Sequence, residues 1–511
     1  MNNKPKIAII TFTDDREEGI SSPEVERFLR KKQEELGEFL GSNNIIAVDP
    51  LKELRKRDES GYGVRNLKDV KDAVKILAGH TIEGVVIGCW TWAPPMTVME
   101  FVRKISKPIL SYTENDPYSG NLSQLSATSS SLLEWGINTH ALKHEKCFGD
   151  KEYVLKWCRG ISAYSKMKES AMLLWGGSYA VKMEHLQDDI PKLKSFLIRE
   201  VLFEDQYILI KRAENIIKNK RKRIDYFKNW LSDNGLKINY DNKMLTAEAF
   251  DKQVALLISA RDRLGELEME NINGVSIKCQ PEIYKEYGVD ACTLPAFLPL
   301  SYNENGNQRI YPTVCEGDIK GLLTSMILFF LNRHVPPAFG DLISVEDDYI
   351  EFANCGAGSL FWASNSHDVK KTFKNTEAVG NIHGVSGAAF SYFGKELDEV
   401  TVSRLTRIRG KHYMQFGKAK GLDSKKILKE KYGERIKAHL GQTWGKVVID
   451  LGVSAKNFVR VIGANHLTAT IGDFVDELNI FCRQADIPVL RIDSDNDMEE
   501  FYSSIRYLDK D

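Results

Sequence analysis

No stretch of this 511-residue sequence approaches the ~20 consecutive apolar residues that a membrane helix needs, so we expect no membrane partner. Nor is there an excess of charge. The net charge of -1 lacks the basic field that nucleic-acid binding requires. The densest basic run, Lys218-Asn-Lys-Arg-Lys-Arg223, lies on a helical pattern and reads as a solvated face. None of the eight cysteines forms a Cys-x-x-Cys pair, which argues for buried thiols in a reducing compartment. After the first apolar run the chain reads Thr11-Phe-Thr-Asp-Asp15 where a dinucleotide fold would carry Gly-x-Gly-x-x-Gly, which speaks against a nucleotide-binding oxidoreductase. There is no internal repeat and no low-complexity segment. Met1-Asn-Asn-Lys-Pro-Lys-Ile7 runs straight into a strand without a signal peptide, so we expect a cytoplasmic protein.

What is present is a strand–helix alternation. Lys6–Phe12, Ile45–Val48, Gly84–Gly88 and Pro108–Tyr112 read as buried strands, with helical patterns between them. Ser22-Pro23 supplies an N-cap and a first-turn proline for the first of those helices. This grammar indicates a parallel, doubly wound sheet, with ligands at the carboxyl ends of its strands. A second cycle begins at Ala171–Trp175, ends that strand in Gly176-Gly177, and includes a strand at Gly274–Lys278. The stretch Gly321–Arg333 is apolar almost all round and should be a buried helix. From about Asp341 short β-like pieces dominate, among them Ser359–Ala363, Val400–Ile408, Lys411–Gly417 and Val459–Ile462. These suggest an antiparallel sheet or barrel.

Two carboxylates stand out against this apolar background. Glu316 lies in Cys315-Glu-Gly-Asp318 just before the apolar helix, and Asp341 follows Gly340 just after it. Burying them requires compensation, and a hard divalent cation is the simplest. His466, in Arg460-Val-Ile-Gly-Ala-Asn-His466, is a third candidate. Two carboxylates and one imidazole suit Mn²⁺ or Mg²⁺ better than Zn²⁺, and leave positions open. The local alternatives stay open. Glu316 and Asp318 also suit a helix N-terminus, Asp341 a turn, and His466 a satisfied polar position. Trp90 and Trp92 follow the third strand, where alternation would put both on one face, for stacking on a ligand or core packing. Arg16 offers either a bidentate donor or a surface ion pair.

These islands resemble, in order and spacing, the L-fucose/L-arabinose isomerase superfamily, and its L-fucose isomerase branch more closely. Thr11–Arg16, Leu174–Tyr179 and Lys278-Cys-Gln280 are similar to further segments of that family. The resemblance implies two Rossmann-like doubly wound α/β domains, at 1–168 and 169–340, and a C-terminal antiparallel β-barrel-like domain at 341–511. It implies a Mn²⁺-dependent aldose–ketose isomerase in which Glu316, Asp341 and His466 bind the metal, with Mg²⁺ or another divalent cation as substitutes. Glu316 and Asp341 would also carry the proton. Arg16, Trp90, Trp92 and Gln280 would contact the sugar, and a homohexamer would complete each site with a neighbour's N-terminal domain. Asn354 stands where many relatives have histidine, so one histidine ligand is expected. The default substrate is of the L-fucose/D-arabinose type. An acidic sugar such as a sulfonated hexose, as in a sulfoquinovose isomerase, is the alternative, and a non-catalytic sugar-binding protein is the reading from another class.

Overall fold

The computed structural model describes residues 4–15, 21–55, 61–116, 120–136, 143–433 and 443–507. The chain divides into two compact units, Met1–Ser165 with Asp476–Asp486, and Lys166–Val475 with Ile487–Asp511. No helix among the described residues is long and apolar enough to cross a membrane.

In the first unit five parallel strands lie in the order Ile46–Val48, Lys6–Thr11, Gly84–Gly88, Ile109–Thr113, His144–Phe148. Three of them are buried along almost their whole length, as expected when helices cover both faces of a sheet. The helix Pro23–Ser42 starts where the sequence indicates, with Ser22 accepting from the Val25 N–H and proline in the first turn.

The second unit contains a four-stranded parallel sheet in the order Thr313–Cys315, Ile272–Ile277, Ala171–Trp175, Glu200–Glu204. Its helix Ile319–Leu331 buries every position but Phe329, which is why it is apolar on every side. The same unit holds a seven-stranded mixed sheet. Its order is Leu397–Ile408, His466–Ile471, Ala338–Glu346, Tyr349–Ala353, Lys446–Asp450, Lys411–Leu422, Val489–Arg491. Leu397–Ile408 also pairs with Lys411–Leu422. Both sheets contribute to one apolar core, through Trp175, Val275, Phe352 and Val402 among others.

Two segments that read as strands are helical. Leu360–Ala363 is a 3-10 turn, and Ala455–Val461 is an α-helix. Phe458 and Val461 stand three positions apart and are both buried, which is helical spacing. In runs this short, fully buried apolar residues look alike in either conformation. Asp341 lies inside the strand Ala338–Glu346, not in a turn.

Close approach explains the glycine before Asp341. A Cβ on Gly340 would sit 2.6 Å from the carbonyl carbon of Ala353 and 2.8 Å from the Asn354 nitrogen. Backbone cannot retreat as a side chain would. Gly340→Ala should therefore cost about 1–3 kcal/mol of stability, read as a lowered unfolding midpoint in denaturant. An unchanged midpoint would show that the two strands are free to separate here.

Candidate metal centre

Three of the residues singled out in the sequence meet in the second unit. Glu316, Asp341 and His466 each offer a ligand atom, and these atoms lie within 4.8 Å of one another. The β-ladder brings two of them together. Asp341 and His466 are directly opposite each other in an antiparallel pair, where side chains on one face are neighbours. Glu316 arrives from the parallel sheet. Its N–H donates to the Ile277 carbonyl at 2.9 Å, and the chain then turns through two left-handed residues, Glu316 (φ 66°) and Gly317 (φ 67°). A Cβ on Gly317 would lie 2.4 Å from the Gly177 oxygen. The Gly-Gly turn after Trp175 therefore presses directly on the turn that presents Glu316.

His466 Nε2 lies 3.2 Å from Glu316 Oε2 and 3.3 Å from Asp341 Oδ1. Adjacent ligands of an octahedral ion with bonds of about 2.1 Å stand about 3.0 Å apart, so these two separations suit neighbouring ligands of such an ion. Glu316 Oε2 is buried and makes no hydrogen bond among the described residues, which is costly unless something else compensates it. The donor set of two carboxylate oxygens and one imidazole nitrogen suits a hard or borderline divalent cation. The carboxylates are less enclosed than the sequence suggests. The Glu316 and Asp341 side chains are 13% and 22% exposed while His466 is 0% exposed, so the set is open on the carboxylate side.

A buried charge network fixes the imidazole. His466 Nδ1 lies 2.7 Å from Asp318 Oδ2. Arg404 donates to both oxygens of the same carboxylate, at 2.6 and 3.1 Å. Asp318 and Arg404 are both 0% exposed. Asp318 also caps the helix Ile319–Leu331, accepting from the Gly321 N–H at 2.9 Å. Burial alone would raise the Asp318 pKa, but Arg404 and His466 hold it well below the usual carboxylate range. Burial alone would also favour neutral His466, yet its contacts with Asp318, Asp341 and Glu316 carry it well above the ordinary value. With Nδ1–H donated to Asp318, Nε2 is the nitrogen turned toward Glu316 and Asp341, with Asn465 Nδ2 also 3.2 Å from it. Asn465 donates to Asp341 Oδ1 at 2.6 Å, and its amide oxygen lies 2.7 Å from His185 Nε2.

Asp318 thus caps the helix, as its position before an apolar run indicates, and orients His466 as well. Arg404, Asn465 and His185 went unnoticed in the sequence. Only Arg404 left a trace, as a charge at a buried position within the β-pattern Val400–Ile408. Asn354 is not one of the three converging residues. It accepts from the Cys315 thiol at 2.8 Å and donates to the Ala357 carbonyl.

Three of the four expected sugar contacts fall among the described residues. Gln280 leaves the carboxyl end of Ile272–Ile277, and its amide nitrogen donates to Asp290 Oδ1. Trp90 is 2% exposed and belongs to the first unit's core. Its ring meets Tyr112 edge-on at 5.5 Å, and its N–H points to Gln33 Oε1 at 3.3 Å. Trp92 is partly exposed, so the two indoles do not share an environment. The strand ends at Gly88, and two-residue alternation has no force beyond it. Arg16 lies outside the described residues.

Asp318→Asn should lower the affinity for Mn²⁺ about 10–100-fold in a calorimetric titration, because the histidine loses the partner that sets its tautomer. It should also destabilise the fold by about 3–5 kcal/mol, because Arg404 is left buried without its counter-charge. Wild-type metal affinity in a folded Asp318→Asn protein would remove the orienting role.

Comparison with known proteins finds similarity over part of the chain. Residues 352–493 match the L-fucose isomerase C-terminal domain. A sulfoquinovose isomerase of Alkalicoccus urumqiensis is 29% identical over 139 residues, 27% of this chain and 28% of that protein. The sulfoquinovose isomerases of Priestia aryabhattai and Priestia megaterium are each 25% identical over 160 residues, 31% of this chain and 32% of theirs. The chain thus spans about a third or less of the curated relatives it matches. Over these stretches the chain is similar to members of an L-fucose isomerase-like superfamily.

Proposed function

We propose that the protein is a divalent-metal-dependent aldose–ketose isomerase acting on a monosaccharide. The observation that carries this reading is the convergence of Glu316, Asp341 and His466, with the carboxylates less enclosed than the imidazole. Isomerisation moves a proton between adjacent carbons through an enediol, and that proton is only weakly acidic. A cation held by these three residues would supply Lewis acidity, stabilising negative charge on the two sugar oxygens. The partly exposed carboxylates of Glu316 and Asp341 lie on the open side. One takes the proton from one carbon and returns it to the next. His466, fully buried and locked by Asp318, serves as an anchor and not as a proton carrier. Asn465 holds Asp341 in line. A simple sugar binder gains nothing from so much buried charge at this point.

Two substrate types follow. The sulfoquinovose isomerases among the relatives favour a sulfonated hexose. The match to the L-fucose isomerase C-terminal domain favours a neutral sugar of the L-fucose/D-arabinose type. Mn²⁺ is the metal we assign, in a cytoplasmic homohexamer with a three-domain subunit. The pairing of Leu397–Ile408 with strands on both sides supports a barrel-like closure of its C-terminal sheet. Arg16 and Trp92 would contact the sugar held by a neighbouring subunit.

The test is a panel of neutral and anionic aldoses incubated with Mn²⁺ and scored for ketose. At least one sugar should turn over, EDTA should stop it, and added Mn²⁺ should restore it. Glu316→Gln and Asp341→Asn should each lower kcat by at least about 10³-fold, since each removes both a ligand and a proton carrier. Near-normal turnover in both variants, or full activity after chelation, would overturn the reading.

A further inference from the structure

The elements that present Glu316 and Asp341 also present a second polar cluster, which the metal set does not use. Gln280 follows the strand Ile272–Ile277, whose last residue pairs with Cys315, the neighbour of Glu316. Asp341 pairs with Ala353, two residues before Cys355. Gln280 and Cys355 both meet His383. Its Nδ1 lies 3.2 Å from Asp290 Oδ2, and Gln280 Nε2 stands 3.5 Å from the same nitrogen. Asp290 is 1% exposed, and its carboxylate is held from both sides. Gln280 donates to Oδ1, and Asn381 Nδ2 donates to Oδ2 at 3.1 Å.

This geometry sets the imidazole tautomer. The Asp290 carboxylate accepts, so Nδ1 carries the proton and Nε2 keeps a lone pair. Cys355 Sγ lies 3.9 Å from Nδ1 and 3.6 Å from Nε2, long and weak thiol contacts that a stronger oxygen partner can displace. Among the described residues Nε2 has no oxygen or nitrogen partner. Trp444 packs edge-on against the ring at 6.2 Å, and the side chain remains 27% exposed. Asp290 raises the His383 pKa through its hydrogen bond, and Glu316 adds to it through space, so the ring lies within the field of the metal-binding carboxylates. A packing histidine needs neither an ordered carboxylate behind it nor an open nitrogen in front.

We propose that His383, positioned by Asp290, opens the sugar ring before isomerisation begins. The proposal rests on the isomerase reading above. Aldoses rest as cyclic hemiacetals, which have no carbonyl and therefore no activated proton on C2. Nε2 takes the proton of the anomeric hydroxyl as the C1–O1 double bond forms and the bond from C1 to the ring oxygen breaks. The imidazolium then returns that proton to the ring oxygen, so no proton or electron is left over. Asp290 stays ionised throughout and steadies the transient cation. Glu316 and Asp341 then act on the open chain.

The test compares His383→Gln with wild type on protio and C2-deuterated aldose, taking the sugar that the panel identifies. kcat should fall about 10²–10⁴-fold, the range of general acid–base catalysis, while Mn²⁺ affinity and the unfolding midpoint stay at wild-type values. The C2 deuterium effect on kcat in the variant should be close to unity, because ring opening then limits the rate. Asp290→Asn should behave alike and is the second variant should His383→Gln fail to fold. A kcat within about twofold of wild type would overturn the ring-opening role. So would a rate loss that keeps a large C2 deuterium effect, which would put His383 at the carbon-bound proton instead. A wild-type protein that converts no sugar of the panel would overturn the isomerase reading, and this proposal with it. An active wild type with either contrary result overturns the ring-opening role alone.

Discussion

The carboxylate of Asp318 is the point on which the site turns. It is fully buried and receives three different donors. One is a helix N-terminal N–H, one the Arg404 guanidinium, and one the His466 imidazole. Each donor comes from a different element, so one charge ties the helix Ile319–Leu331 to two strands of the mixed sheet. A buried carboxylate with one partner would be a liability. With three it defines the orientation of each partner. The same helix is bound to Leu397–Ile408 a second time, where Thr324 Oγ1 accepts from the Leu405 N–H at 2.9 Å.

Around this anchor the ligands come from two sheets of different construction. The parallel sheet delivers Glu316 at a strand end, as parallel sheets deliver ligands generally. The mixed sheet delivers Asp341 from within one strand and His466 from the first residue of another, as opposed residues of one ladder. Strand interiors are stiffer than loops, so two of the three ligand positions are fixed by backbone hydrogen bonds. The third depends on a left-handed turn, which the Gly176-Gly177 turn holds by close backbone contact. A left-handed residue other than glycine or asparagine costs of order 1 kcal/mol, and such strain persists only where surrounding structure enforces it.

Much of the architecture was legible in the sequence because its signals are local. Continuous apolar runs marked the buried parallel strands, and Ser22-Pro23 marked a helix start. The all-round apolar character of Ile319–Leu331 announced its burial. Errors arose where a short buried run carries no period. Leu360–Ala363 and Ala455–Val461 are helical for this reason. Trp90 reads as either a pocket wall or core from sequence, and only its packing on Tyr112 places it in the core.

By itself, then, the sequence determined the donor chemistry and the kinds of element that carry it. Glu316, Asp341 and His466 offer oxygen and nitrogen donors whichever way the chain folds, and the apolar stretches around them must be buried. The tertiary structure alone decided that Asp341 faces His466 across a ladder, that Asp318 and Arg404 lock the imidazole, and that Asp290 holds His383. Arg404 stands 86 residues from Asp318, and His383 stands 93 from Asp290. Contacts of such separation depend on strand register and on the crossing of two sheets. Neither leaves a periodic trace in the sequence, because hydrophobic periodicity records which face of an element is buried and not which residue lies opposite.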